Sequence, residues 1–284
     1  MCCDDRGRVA NLSKPLLEEY ENVKDEREAM RLESRVKEAL QDAPPLECSP
    51  STRFILALDI GYSTNSNLSV AAGIVYDTIE NEIVAQKALS QPTSSFEYIP
   101  GLLAFREVPL LAKVVGDLLA NERYTNLANH YDLANDIVLM CDGNGTLHPR
   151  LCGLACHLGL LFGLPAFGVG KTYLIGAPID SNMQDEDRTR TEDPDKVDFH
   201  PLKSTLPSPR GSTIPLYVQG QLAGHMVRTQ DNINPLFVSS GVGISQIDAV
   251  KMTLALCTEY RQPEPIRIVD HLGRMEIKRL EEGT

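Results

Sequence analysis

Two apolar segments of the chain each end at an aspartate, and this pattern restricts the possible folds more than any other feature. Residues 53–61 read RFILALDIG and residues 136–142 read DIVLMCD, so Asp59 and Asp142 both close an apolar run. Such runs are typical of strands buried on both faces of a sheet. If the two strands are parallel neighbours, their carboxylates meet at one edge. The sequence therefore predicts an α/β protein with acids at that edge.

The segments around these two strands predict the rest of the sheet. Residues 68–76 and 82–89 are strand candidates joined by a polar turn, and with residues 53–61 they predict an antiparallel meander. From Gly101 onward apolar residues recur at helical spacing, so a helix carries Glu107. We also expect strands at 165–169, 216–218, 222–228 and 235–238, and helices over 148–161 and 245–257. The prediction is a mixed β-sheet flanked by helices.

Two polar segments predict the domain organisation. Residues 15–41 mix helix formers with dense charge and precede two prolines, so residues 1–47 are predicted to form an N-terminal helix and linker. Residues 48–284 are predicted to form one domain. Within it, residues 178–212 are rich in Asp, Arg, Thr and Pro with little apolar periodicity. That composition predicts a disordered insertion.

Composition limits the partners that we expect. The net charge is −12, but residues 1–47 carry −4 and residues 180–198 carry −5, so the remaining charge permits a nucleic-acid substrate without favouring one. No apolar run approaches the roughly 20 residues that cross a bilayer, so no membrane partner is expected. Seven cysteines at irregular spacings make a poor disulfide framework, which fits an intracellular protein. A monomer is the default expectation.

The three acids Asp59, Glu107 and Asp142 are candidates for a metal site. Carboxylates a few ångström apart raise one another's pKa unless a cation lies between them. Ligation by oxygen alone suits Mg²⁺ or Mn²⁺, ions that activate water and stabilise charge on a phosphoryl group. The pattern also fits an alternative in which each acid is only a cap or a solvated surface group, and that alternative is the commoner one.

Three further side chains have chemistry suited to nucleic acid. His148 lies six residues after Asp142 and either contacts a phosphate or satisfies a local hydrogen bond. Lys171 follows two glycines, yet Pro165 stands where a phosphate loop needs glycine, so it is a transition-state cation or a surface charge. Tyr98 precedes Pro100 and either wedges into a base stack or packs at a helix entry.

Six segments in one order resemble the endonuclease V family, inosine-specific nucleases with an RNase H-like fold. The segments are ALDIGY (57–62), YIPGLLAFREVP (98–109), CDGNGTLHPR (141–150), GLACHLGLLFGLP (153–165), GVGKTYL (168–174) and YRQPEPIR (260–267). The resemblance covers most of residues 53–270 apart from the predicted insertion. It implies an RNase H-like mixed β-sheet and cleavage of the second phosphodiester bond 3′ to inosine.

The resemblance also assigns roles to residues. It implies Mg²⁺, with Mn²⁺ as its substitute, held by Asp59, Glu107 and Asp142, and it places Lys171 and His148 near the scissile phosphate. These five residues are the predicted catalytic group. The predicted substrate-binding group comprises a wedge and a base pocket lined by glycines and leucines: Tyr98, Ile99, Pro100, Gly101, Leu103, Gly143, Arg150, Leu154 and Leu174. Adenine would be rejected because an amino donor replaces an oxygen acceptor.

The chain departs from the family pattern in three places. Glu97 stands where the wedge usually begins with proline, Val242 and Gly243 follow Gly241 where the family has His-Arg, and the acidic insertion is additional. The segments ACHLG and DGNG resemble the eukaryotic branch of the family, and together with the added tails they indicate a eukaryotic member. That branch favours inosine in single-stranded RNA, possibly also DNA, and we expect the protein in the cytoplasm or nucleus, including the nucleolus. The alternatives are an inosine-binding protein with weakened nuclease activity and a DNA repair nuclease that acts on deoxyinosine.

Overall fold

An eight-stranded mixed sheet forms the centre of the computed structural model, which describes residues 16–42, 52–127, 131, 136–178 and 200–283. The strands are β1 (Phe54–Tyr62), β2 (Leu68–Asp77), β3 (Glu82–Pro92), β4 (Ile137–Cys141), β5 (Ala166–Gly170), β6 (Thr213–Val218), β7 (Gln221–Val227) and β8 (Leu236–Val242). Their order across the sheet is β3-β2-β1-β4-β5-β8-β7-β6. The predicted meander and the predicted mixed sheet are confirmed.

Only the central strands of the sheet run parallel. β4 pairs in parallel with β1 on one side and with β5 on the other, while the remaining pairs are antiparallel. Leu58 of β1 stands opposite Cys141 of β4, and the backbone N–H of Asp142 donates to the Leu58 carbonyl at 2.9 Å. The two strands that end in aspartates are therefore parallel neighbours, which is the condition under which their carboxylates meet.

Helices cover both faces of the sheet. They are α1 (16–22), α2 (Glu26–Asp42), α3 (Ala104–Leu119), α4 (Glu122–Leu127), α5 (Leu154–Phe162), α6 (His200–Thr205), α7 (Gln246–Leu256) and α8 (Glu264–Glu282). Leu56 and Leu58 of β1 face the core beneath α3 and α5, whereas Ile55 and Ala57 face the core beneath α7 and α8. This alternation follows from the two-residue side-chain period of a strand. No helix among the residues that the structure describes is long and apolar enough to span a bilayer.

Three predictions about individual elements were wrong. The single helix expected over residues 15–41 is two helices with a break at residues 23–25, and the helix expected from His148 begins only at Leu154. Residues 200–212, assigned to a disordered insertion, include α6, and Leu206 is buried in an apolar cluster while its carbonyl accepts from the Arg228 guanidinium at 2.9 Å. The remainder of that insertion (179–199) and the linker predicted near residue 47 lie outside the described residues.

Close backbone contacts fix the loop that follows β4. A Cβ atom at Gly168 would lie 2.4 Å from the Gly143 carbonyl oxygen, and one at Gly145 would lie 2.1 Å from the Ser240 carbonyl oxygen. The Gly145 N–H also donates to the Ser239 hydroxyl at 2.8 Å. Only glycine permits such approach. Residues 143–145 are therefore held against β5 and β8, directly after the aspartate that ends β4.

Candidate active site

The two aspartates predicted from the strand pattern meet at the edge of the sheet. Asp59 lies on β1, Asp142 follows β4, and their carboxyl groups are close enough to shift each other's pKa. Burial raises the pKa of both carboxyls, and the neighbouring charge of Asp142 raises that of Asp59 further. A buried acid pair of this kind retains a proton or recruits a cation.

Glu107 lies near this pair but has its own hydrogen-bond partner. It is in the first turn of α3, is 4% exposed, and accepts a hydrogen bond from the Tyr62 hydroxyl at 3.1 Å. Burial raises its pKa to about 8, and the charges of Asp59 and Asp142 add to that shift while the Tyr62 bond opposes it. The three predicted acids therefore share one electrostatic environment.

Lys171 supplies the positive charge of the site. It follows β5, and its Nζ lies 2.5 Å from Asp142 Oδ2. Its ammonium lowers the pKa of Asp142 and of Asp59, against the effect of burial. The Arg261 guanidinium donates to the Lys171 carbonyl at 2.7 Å, which fixes the backbone from which the lysine extends.

Asp270 of α8 is a site residue that the sequence analysis missed. Its Oδ1 lies 3.5 Å from Lys171 Nζ, so the lysine bridges Asp142 and Asp270. Its other oxygen pairs with Arg274, one turn along the helix. The cavity at this point measures about 280 Å³ and is lined by five charged residues, two glycines and one isoleucine: Asp59, Ile60, Gly61, Asp142, Lys171, Asp270, Gly273 and Arg274.

The donor set suits a hard cation, although it is not arranged as a chelate. The three acids offer only oxygen, and burial raises their pKa values because it disfavours the charged carboxylates, a cost that a divalent ion would relieve. Within the described ranges, no three side chains of His, Cys, Asp or Glu converge closely enough to hold one ion. Lys171 compensates the charge of Asp142.

The predicted wedge lies on a turn at the start of α3. Tyr98 is 49% exposed, Pro100 is exposed, and Ile99 packs against the core beneath α3. The Leu102 N–H donates to the Ile99 carbonyl at 2.9 Å, and Gly101 has φ of +80°. A type II turn has this form, with proline at its second position and glycine at its third.

His148 and Arg150 lie against this turn. His148 Nε2 is 2.7 Å from the Gly101 carbonyl oxygen, and Arg150 Nη2 donates to the same oxygen at 2.6 Å. Burial lowers the pKa of His148 to about 3, so its ring is neutral near pH 7. The structure thus joins His148 to the predicted substrate-binding group, and its catalytic role stays a prediction.

The leucines of the predicted base pocket are distributed around this region. Leu154 opens α5, and its Cδ2 lies 3.4 Å from the Cβ position of Gly143. Leu103 is half-buried immediately before α3, while Leu174 is half-buried against the apolar cluster that contains Leu147. The structure therefore brings Gly143 and Leu154 together, and the common pocket stays a prediction.

Val242 and Gly243 lie away from the acids. Val242 pairs with Ala166, the first residue of β5, whereas Lys171 follows the last residue of that strand. At about 3.3 Å per residue, the two ends of β5 are roughly 13 Å apart. The concern that these two residues weaken contacts beside the acids therefore finds no support in their position.

Fold and site together define an α/β nuclease of the RNase H-like class, with buried acids at the ends of adjacent parallel strands. The endonuclease V family model matches residues 34–271. Endonuclease V of Azotobacter vinelandii is 33% identical over 224 residues, which cover 79% of this chain and 83% of that protein. The chain belongs to the endonuclease V family and is an endonuclease.

Solved structures agree with this assignment. The structure of endonuclease V from Streptomyces avermitilis has a TM-score of 0.70 and 30% identity, and it covers 91% of this chain and 96% of its own. Endonuclease V of Ciona intestinalis, in complex with a 24mer DNA containing an inosine followed by a ribo-adenosine, has a TM-score of 0.68 and 24% identity, over 90% and 100% of the chains. That second likeness shows the fold. Eukaryotic origin stays a prediction.

Proposed function

We propose that this endonuclease cleaves single-stranded RNA, and also DNA, at the second phosphodiester bond 3′ to inosine, with Mg²⁺ as its cofactor and Mn²⁺ as a substitute. The single observation that carries the proposal is the buried acid pair Asp59 and Asp142 with Lys171. Nucleases of the family are metal-dependent in general. The protein is proposed to act as a monomer in the cytoplasm or nucleus, including the nucleolus.

The acids and the lysine divide the catalytic work. Asp59 and Asp142, with Glu107 from α3, would hold the ion, which when bound activates water and stabilises negative charge on the phosphoryl group. Lys171 places its ammonium beside the same acids and stabilises negative charge that develops on a phosphate or leaving oxygen. Asp270 keeps that ammonium at the cavity through its 3.5 Å contact.

The Tyr98–Gly101 turn supports recognition of a base taken out of its stack. An exposed tyrosine on a proline-stiffened turn has the shape of a wedge, and unstacking costs a few kcal/mol that the wedge offsets. Glycine backbone at 101 and 143 and the side chains of Leu103, Leu154 and Leu174 are proposed to contact hypoxanthine. Its oxygen is an acceptor where adenine has a donor, so the two bases demand opposite partners.

A 5′-labelled oligoribonucleotide with one inosine tests the proposal. With Mg²⁺ the wild-type protein should yield one product that ends beyond the inosine, and the same oligonucleotide with adenosine should stay intact. Asp59→Ala should abolish cleavage, while Asp117→Ala, which removes an exposed acid of α3 paired with Lys87, should retain it. Equal cleavage by the wild-type protein and Asp59→Ala would refute the assignment of the site.

A matched DNA oligonucleotide distinguishes the RNA substrate from the DNA repair alternative. Faster cleavage of DNA than of RNA would favour repair of deoxyinosine. The inosine-binding protein with weakened nuclease activity was motivated by Val242 and Gly243, and their position at the far end of β5 removes that motive.

A further inference from the structure

A buried ion pair joins helix α2 to the loop that follows β4. Glu33 of α2 is 2% exposed, and its Oε1 lies 3.1 Å from Arg150 Nη2, while its Oε2 accepts from Arg150 Nε. Carboxylates are almost never buried to this extent without a partner. Since α2 begins far from the site in the chain, the pair makes an N-terminal helix a direct neighbour of the predicted substrate-binding group.

Arg150 also contacts the Tyr98–Gly101 turn. The same Nη2 that meets Glu33 donates to the Gly101 carbonyl at 2.6 Å, and His148 Nε2 donates to that carbonyl at 2.7 Å. The His148 Nδ1 accepts from the Arg150 backbone N–H at 3.3 Å, which leaves the proton on Nε2. One carbonyl oxygen therefore receives two donors, and one of them is oriented by Glu33.

Fixing this carbonyl fixes the conformation of Gly101. Glycine has more backbone freedom than any other residue, and Gly101 has φ of +80° between exposed Pro100 and the start of α3. If its carbonyl were released, the turn could change shape and Tyr98 would move with it. The chain of contacts therefore runs from α2 to the residue proposed as the wedge.

We propose that Glu33 is a positioning residue for inosine recognition, which holds the Tyr98–Gly101 turn through Arg150 and makes helix α2 part of the substrate site. The inference rests on the proposed function. Attachment of α2 to the protein does not require the ion pair, because Ala29, Leu32 and Val36 are already buried in the core beneath α3 and α5. Removing one partner of a buried ion pair does lower stability, because the other charge is left uncompensated, so stability is measured beside recognition.

Binding measured without cleavage tests this role. Fluorescence anisotropy with Ca²⁺ in place of Mg²⁺ would compare labelled RNA containing one inosine with the matched adenosine RNA. Because Arg150 would lose the charged partner that orients its hydrogen bond to the turn, we expect Glu33→Gln to reduce the preference for inosine about tenfold. Hydrogen exchange of residues 98–103 in the free protein should quicken in the same variant.

Two variants on the same helix separate positioning from stability. Val36→Ala removes buried apolar contact and should lower the melting temperature while leaving the preference for inosine unchanged. Glu38→Gln changes an exposed acid and should alter neither property. If Glu33→Gln does not fold, Glu33→Asp keeps the charge but shortens its reach, and it should show a smaller loss of preference.

The outcomes distinguish this inference from the proposed function. A wild-type preference for inosine that Glu33→Gln or Glu33→Asp retains in full would overturn the positioning role alone. No preference in the wild-type protein would overturn both the proposed function and the inference. A loss of preference in Val36→Ala equal to that in Glu33→Gln would show that α2 acts only through stability, and would also overturn the inference.

Discussion

Individual side chains at the sheet edge carry charge that folding alone does not favour. Asp59, Asp142 and Glu107 are acids whose pKa values burial raises, and one lysine and one further acid complete the group. Such shifts concentrate at functional sites, where burial and neighbouring acids act on the same carboxyl group. Asp77 shows the contrasting case: burial raises its pKa, but the contact with Arg53 and the hydrogen bonds from the backbone N–H groups of Ile79 and Glu80 together outweigh burial and lower it.

Replacing Lys171 tests whether its ammonium acts in the chemical step. Lys171→Met should lower kcat on the order of 100-fold, as the loss of one charge-stabilising group does, with a smaller change in KM. Asp270→Asn should lower kcat less, because Lys171 keeps its contact with Asp142. Lys87→Met, which removes an exposed lysine on β3, is the matched control and should keep full activity. Steady-state cleavage of inosine RNA measures all three, and an unchanged kcat in Lys171→Met would contradict the role.

The raised pKa values also predict how stability depends on pH. The pKa of Glu107 is about 8 in the folded protein and 4.5 in the unfolded chain, and the pKa of Asp59 beside Asp142 is raised in the same way. The folded state therefore keeps protons that the unfolded state has lost, and the stability that these protons contribute disappears as pH rises through 8. His148 and His157, with pKa values of about 3 and 4, act in the opposite direction, but only below pH 6.5. The metal-free protein should therefore unfold more easily at pH 8.5 than at pH 6.5.

Urea unfolding in EDTA measures this dependence, and added Mg²⁺ should weaken it because the ion replaces the protons. Asp59→Asn should flatten the curve between pH 6.5 and 8.5. A rise in the free energy of unfolding over that range in the metal-free protein would contradict the charge balance proposed for the site.

Residues whose place depends on one strand were predictable, and those placed by distant segments were not. Asp59 and Asp142 each end an apolar run, so strand pattern was sufficient to find them. Asp270 reaches Lys171 from 99 positions along the chain, and Glu33 reaches Arg150 from 117 positions, through packing that no local pattern records. The helical spacing of Ile266 and Val269 indicates the helix that carries Asp270, and that spacing is visible in the sequence.

At the scale of elements, burial on one face explains both the successes and the misses. Helix α3 was predicted because ten of its residues are buried, among them Val108, Leu111 and Val115, which recur at helical spacing. Helix α8 was missed because only four of its nineteen residues are buried: Pro265, Ile266, Val269 and Gly273. Its many charged residues obscure the apolar periodicity of so narrow a buried face. Asp270, which lies on this helix, was therefore missed as well.

The packing of α3 on the sheet predicts opposite effects for two glycine substitutions. A Cβ atom at Gly73 of β2 would lie 2.7 Å from Val114 Cγ1 and 2.8 Å from Leu118 Cδ1, so Gly73→Ala should destabilise by about 1–3 kcal/mol through overpacking. Gly116 lies on the exposed side of α3 with nothing near its Cβ position. Gly116→Ala should therefore stabilise by up to about 1 kcal/mol through helix propensity.

Urea unfolding of both variants, with the metal removed, gives these free energies. The pair is matched, since both changes add one methyl group to the same helix–sheet layer. A stabilising effect of Gly73→Ala would contradict the close approach of α3 to β2.

At the scale of the whole molecule, sheet topology decides which residues share the site. The two parallel pairings place the ends of β1, β4 and β5 on one edge, and α8 crosses that edge with Asp270. Because β8 runs antiparallel to β5, the end of β8 lies at the opposite edge. From the sequence motif alone, Val242 and Gly243 look like a loss of two basic residues beside the catalytic acids. The direction of β8 shows that they lie away from those acids.

Introducing the family's His-Arg pair tests this conclusion. Val242→His with Gly243→Arg should leave kcat within about twofold of wild type at 25 °C, since roughly 13 Å of strand separates position 242 from Lys171. The double variant should have a lower melting temperature. Val242 packs closely on Gly159, since a Cβ atom at Gly159 would lie 3.0 Å from it, and Gly243 has φ of +63°, which disfavours arginine at this position. A tenfold rise in kcat would instead show that the weakened-nuclease alternative was right and that position 242 reaches the substrate from beyond the sheet edge.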